Sequence, residues 1–258
     1  MKDYFDQTVQ LYKLCCDGYD FVNRIEAFNY SDVEIQYANN HCIINSFDKL
    51  NEFYNYTIQE RKKTSIDYFG LNDYLLDKYE VGYYQVQLGL NFHDNYILFS
   101  DENINKWETI IPIIGLEFMV TFSRNWDGNI NGIGLRILDT KKVCDAFKWL
   151  FPLGQKCTFG LQYANKNDKL ILVEGFTDMI AGQESGYDNC IGLGSVDVTD
   201  DHKMELNTDN YVFCPDQDSY GMQIRRETNN WCLFSPEKYK DPYEAYKQTG
   251  KVNFHLIK

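Results

Sequence analysis

The chain has 258 residues, 44% hydrophobic and 24% charged, a globular balance with length for one large or two ordinary domains. Acidic residues outnumber basic ones 38 to 25, and the resulting net charge of −13 at first argues against nucleic acid as a partner. No apolar run approaches the roughly 18 residues of a membrane helix, the start Met1–Asp6 is not a secretory leader, and the eight cysteines form no CxxC pair; the expectation is a cytoplasmic protein with reduced, buried thiols and no structural zinc.

In chain order, residues 1–62 form a segment to which no role can be given. Asp6–Leu14 has helical spacing and Val33–Tyr37 alternates like a strand. Glu60–Thr64 is charged enough to be a connector, and Ser65 opens a stretch with apolar residues at helical spacing over Ile66–Leu71 and Tyr74–Tyr79. Strands are expected at Tyr83–Leu90, Asn95–Phe99, Ile110–Gly115 and Glu117–Phe122, with Pro112 suited to an edge or a strand start. Arg124–Gly132 reads as a hairpin turn, because Asp127-Gly128 and Asn131-Gly132 supply the positive φ of tight turns. The returning strand Ile133–Leu138 carries Arg136 among apolar neighbours.

Charge is unevenly spread. Residues 121–170 hold eight Lys or Arg against four Asp, so this window is +4 and the rest of the chain −17. A basic window suits phosphate binding, and equally a solvated face. Gly154–Leu161 is not a phosphate loop, since it lacks the terminal Gly-Lys-Ser/Thr, and Gly192-Leu-Gly194 lacks the third glycine of a dinucleotide fingerprint.

The most informative stretch is Lys169–Ala181. An apolar run, Leu170–Val173, ends in Glu174-Gly175 and gives way to a helical pattern: a buried strand, a tight turn and a helix. Two further units of this kind are expected, Asn210–Cys214 leading into Asp216 and Asp218, and Trp231–Phe234 leading towards Asp241. In open parallel α/β sheets ligands bind outside the carboxyl ends of the strands, so Glu174, Asp178, Asp216, Asp218 and Asp241 should converge. Such a cluster calls for a hard divalent cation, most naturally magnesium. Asp178, Asp216 and Asp218 also suit helix starts as simple caps, whereas Glu174, ending an apolar strand, has no capping role. His41, His93, His202 and His255 share no ligand spacing, and Cys214 and Cys232 read as packing.

Glu174-Gly-Phe-Thr-Asp178, Gly192-Leu-Gly194-Ser195, Asp216-Gln-Asp218 followed by Gly221, and Asp241-Pro242 resemble, in order and spacing, the TOPRIM domain of bacterial-type DNA primases. The resemblance implies an α/β fold: a TOPRIM-type parallel sheet flanked by helices over residues 166–258, preceded by a mixed α+β subdomain with a basic arm over 63–165. It implies a DNA-directed RNA polymerase that makes short RNA primers on single-stranded DNA from ribonucleoside triphosphates, with a replicative helicase as partner. Glu174, Asp216 and Asp218 would be catalytic and, with Asp178 and Asp241, would hold Mg²⁺ or Mn²⁺. Arg124, Arg136, Lys142 and Lys156 would bind nucleic acid or nucleotide.

Departures from the family pattern are visible. Adjacent Cys15 and Cys16 cannot form the family's zinc ribbon, and with so little sequence after the last motif no helicase-binding module is expected in it. Gln217 stands where glycine usually separates the paired aspartates, Pro215 precedes them, Tyr220 replaces a small residue, and Tyr243 follows the Asp-Pro pair with Glu244 next; these bear on the second metal position. They leave two alternatives open, a non-catalytic TOPRIM-like accessory or inhibitor protein and a TOPRIM nuclease. The wealth of Asn, Lys, Ile and Tyr is the usage of an AT-rich genome, such as that of a phage or mobile element.

Overall fold

The computed structural model describes residues 47–85, 117–138, 149–150, 158–218, 221, 223 and 230–256. The expected helix at 6–14, the strands at 33–37, 95–99 and 110–115, and Lys141, Lys142 and Lys156 lie outside these residues. The described residues fall into two compact units, one reaching Thr121 and resuming at Ile133, the other holding Phe122–Gly132 and everything from Thr158 onward.

The first unit begins with α1 (Phe47–Arg61), which does not stop at the expected connector but runs through its first two residues. The reason is Arg61, a buried side chain that pairs with Asp77 and so is drawn into the fold rather than released to solvent. The long helix expected from Ser65 shrinks to α2 (Asp73–Lys78). Phe69 and Gly70 adopt φ of 59° and 84°, left-handed values that break a helix, and Asn72 then starts α2 by accepting the Leu75 N–H at 3.0 Å. Strands β1 (Gly82–Gln85), β2 (Glu117–Arg124), β3 (Ile130–Ile137) and β4 (Trp149–Leu150) form one sheet in that order. Phe53 of α1 meets Tyr84 of β1 edge-on, with ring centroids 5.3 Å apart.

The tip of the β2–β3 hairpin belongs to the second unit. Its turn uses one of the two glycines expected to shape it: Gly128 has φ 81° and the Asn125 carboxamide oxygen accepts the N–H groups of Asp127 and Asn129, whereas Gly132 lies within β3 without a positive φ. The second unit centres on a parallel sheet of order β6-β5-β7, made of β5 (Leu170–Val173), β6 (Cys190–Gly192) and β7 (Tyr211–Cys214). Every residue of β5 is buried, as expected of the middle strand of a parallel sheet covered on both faces. Helices α3 (Phe176–Glu184) and α4 (Asp200–Leu206) make the crossovers. Leu161, Leu170, Leu172, Ile191, Leu193, Leu206 and Phe213 form one apolar cluster under this sheet.

The third expected strand–helix unit is different in kind. Strand β8 (Cys232–Ser235) pairs antiparallel with β9 (Asn253–Leu256), and a parallel bridge from Phe213 to Trp231, just before β8, links the segment to β7. The chain returns after α5 (Pro242–Thr249) to supply β9, so β8 satisfies its backbone groups there instead of extending the parallel ladder.

Candidate active site

Register places the acids. Val173 of β5 stands level with Gly192 of β6 and Cys214 of β7, so all three strands end on one line. The next residues, Glu174 on one strand and Pro215-Asp216 on its neighbour, therefore emerge side by side. The contact is direct: a Glu174 carboxylate oxygen accepts the Asp216 backbone N–H at 2.9 Å.

Asp178 lies in the first turn of α3 and is buried at 6% exposure. It does more than cap its own helix, because its Oδ1 accepts the Tyr243 N–H at 3.0 Å and so joins α3 to α5. Gly175 leaves room for it, since a Cβ there would lie 2.5 Å from Asp178 Oδ2 and the carboxylate would have to shift. Asp218 accepts the Gly221 N–H at 3.0 Å, and this loop closes so tightly that a Cβ on Gly221 would meet the Asp216 carbonyl oxygen at 1.9 Å. Asp241 is the N-cap of α5 and accepts the Glu244 N–H at 2.7 Å.

The cluster carries its charge under strain. Burial pushes Glu174 up to about 7, with repulsion from Asp178 and Asp218 adding to it and the Asp216 N–H opposing it. Burial also pushes Asp216 up to about 8, reinforced by Glu174 and Asp241. Asp178 rises well above the usual carboxylate range for the same reason, with Asp216 and Asp241 as its repelling neighbours. Five oxygen-rich side chains in such a field have the donor chemistry and the unmet charge of a hard divalent cation site. Among the described residues no three of them already stand in ligand geometry.

One group at this site carries no functional reading from the sequence. The Lys240 ammonium stands 3.6 Å from Asp216 Oδ2 and 3.7 Å from Asp218 Oδ2, ion-pair distances rather than hydrogen bonds. Burial works against its charge, but Asp216, Asp218 and Asp241 outweigh that and hold its pKa above the ordinary lysine value. The available signal was its position directly before Asp241-Pro242, which places it at the mouth of α5.

Gln217, the departure that bore on the metal site, is directed elsewhere. Its carboxamide donates to the Phe234 carbonyl at 3.3 Å and its backbone N–H to the Lys240 carbonyl at 2.7 Å, so it fastens the acid loop to β8 and to the loop after it. Tyr243 is buried and serves through its backbone, and Glu244 accepts the Lys240 N–H at 2.9 Å. Pro215 is buried, and Tyr220 lies outside the described residues.

Of the basic residues, Arg124 donates to the Gly128 carbonyl at 2.8 Å and closes its own hairpin turn. Arg136 sits between two rings, 5.0 Å from the centroid of Phe69 and 5.3 Å from that of Trp149. His202 is a core histidine whose ring binds the Leu193 carbonyl and Thr199. Cys190, Cys214 and Cys232 are buried cysteines outside any disulfide among the described residues. No helix among the described residues is long and apolar enough to cross a membrane.

No protein-family model matches the chain, and neither does any curated protein. Solved structures do. The RNA polymerase domain of Mycobacterium tuberculosis primase DnaG superposes with a TM-score of 0.55 at 14% identity, over 85% of this chain and 81% of that one. A DNA primase domain from Pseudomonas aeruginosa gives 0.55 at 17% identity over 79% and 74%. A DnaG primase catalytic domain bound to single-stranded DNA gives 0.51 at 20% identity over 86% and 80%. The fold of this chain, a mixed α/β architecture with a helix-flanked parallel sheet, is that of bacterial primase catalytic cores.

Proposed function

We propose that this chain, having the fold of a primase catalytic core, is a nucleotidyltransferase that joins ribonucleotides on single-stranded DNA. In that reaction the 3′-hydroxyl of one ribonucleotide displaces pyrophosphate from the α-phosphate of the next. The observation that carries the reading is the meeting of Glu174 with Asp216 at the common end of β5 and β7, with Asp178 and Asp218 adding to the field.

Magnesium or manganese, when bound, would supply the Lewis acidity that activates the attacking oxygen and neutralises the leaving pyrophosphate. The protein's part is positioning. Glu174 is fixed by the end of a fully buried strand and by the Asp216 N–H, Asp178 by the Tyr243 N–H, and Asp218 by the Gly221 N–H. Glu174, Asp216 and Asp218 are the ligands we assign, with Asp178 and Asp241 supporting them. Arg124, Arg136, Lys142 and Lys156 are assigned to template or triphosphate. A helicase would serve to hold the core on DNA, because an acidic body of net charge −13 repels bulk DNA.

The test is by product. Labelled ribonucleotides, single-stranded DNA and Mn²⁺ should yield short oligoribonucleotides, more with a helicase, and none from Glu174→Gln. Cleaved template without new oligomer would identify a nuclease of the same fold.

One observation favours a second reading. Lys240 stands where it neutralises Asp216 and Asp218 without metal, as a non-catalytic binding protein built on this fold would arrange. Absence of any product, together with a flat metal titration, would select that reading.

A further inference from the structure

Lys240 is held in place from both sides. Its backbone N–H is taken by Glu244 at 2.9 Å and its carbonyl by the Gln217 N–H at 2.7 Å. Those two bonds fix the root of the side chain between the acid loop and the start of α5. Its ammonium then lies almost equidistant from Asp216 and Asp218, while the side chain stays 59% exposed. A cation anchored at its base and loose at its tip can leave its partners without unfolding anything.

We propose that Lys240 is the resident counterion of the acid cluster, occupying the Asp216–Asp218 edge in the cation-free protein and giving it up when a divalent cation enters. The inference rests on the metal reading above and assigns Lys240 a part in it: setting how tightly the site takes free metal. Two carboxylates cannot fully face a divalent cation and a lysine at once, so each metal-binding event must displace the ammonium and overcome its attraction. The chemistry suits a site that loads its metal together with a triphosphate. Free metal is held weakly, and a metal that arrives with phosphate oxygens brings the displaced ammonium a new anionic partner.

The experiment is a calorimetric titration of MnCl₂, without nucleotide, into the full chain as wild type, Lys240→Met, Lys240→Arg and Glu174→Gln. Lys240→Met keeps the apolar stem and removes the charge, and should bind Mn²⁺ about fivefold more tightly than wild type, the order expected for losing a competing, partly exposed ion pair. Lys240→Arg keeps the charge and should bind no more tightly than wild type, and Glu174→Gln should bind more weakly. Circular dichroism establishes that each variant is folded. If Glu174→Gln weakens binding but Lys240→Met equals or falls below wild type, the counterion role is wrong while the metal site stands. If neither wild type nor Lys240→Met takes up Mn²⁺, both fall together.

Discussion

Replacing Glu174 by glutamine tests the electrostatics of the acid cluster in the absence of any cation. Burial raises Glu174 from 4.5 to about 7 and Asp216 from 3.8 to about 8. A carboxyl whose folded pKa exceeds its unfolded one contributes stability that is complete below the unfolded value and is lost as pH rises through the folded value. The metal-free wild type should therefore lose stability steadily from near the unfolded values towards about pH 8. For Glu174 alone the full loss would be about 3 kcal/mol, and solvent screening of its half-buried side chain reduces this to about 1–2 kcal/mol. In a chain of this size that is a fall in Tm of roughly 2–8 °C. Glu174→Gln keeps an oxygen to accept the Asp216 N–H but cannot ionise. Thermal melts in EDTA from about pH 5 to about pH 8.5 should show a shallower decline for the variant, which ends above wild type at the alkaline side. Saturating Mn²⁺ should then raise the wild-type Tm at high pH and leave the variant nearly unmoved. Parallel curves for the two proteins across the whole range would refute the claim that Glu174 is a strained, buried acid.

Three other perturbations follow from the same geometry. Asp178→Ala strands the buried Tyr243 N–H and should lower stability by about 1–3 kcal/mol in urea denaturation, whereas Asp178→Asn, which can still accept that bond, should lose less; equal losses would mean the α3–α5 link is not the hydrogen bond. Gly221→Ala drives a methyl into the Asp216 carbonyl and should weaken Mn²⁺ affinity in calorimetry while the far-ultraviolet spectrum stays native, and unchanged affinity would show that the loop has room. Arg136→Ala should reduce single-stranded DNA affinity and shrink its salt slope by about 1. A loss of stability with unaltered DNA binding would assign this arginine solely to packing between Phe69 and Trp149.

What was legible in the sequence was the parallel sheet and the acids at its end. Leu170–Val173 is uninterrupted apolar chain closed by Glu174-Gly175, a pattern whose only comfortable place is the middle of a buried sheet, and that is where β5 lies. The hairpin at Asn125–Gly128 was equally plain, because Asp-Gly fixes a turn locally. Three features were not. The partner of β8 could not be read, because pairing with β9 depends on a contact made after an intervening helix, and Trp231–Phe234 has the same apolar character in either sheet. The spacing from Ser65 predicts more helix than forms, because apolar spacing says nothing of Phe69 and Gly70 turning left-handed. Lys240 carries no functional reading in the sequence, since its placement depends on hydrogen bonds of its backbone with Gln217 and Glu244 that only the folded loop brings together.

The central claim is that the acids at the ends of β5 and β7 hold a divalent cation, and the most direct measurement is anomalous scattering from crystals of the chain grown with Mn²⁺. The account requires a manganese peak about 2 Å from carboxylate oxygens of Glu174, Asp216 and Asp218, with the Lys240 ammonium moved away. A cluster without a peak at saturating Mn²⁺, with Lys240 still lodged between Asp216 and Asp218, would contradict it.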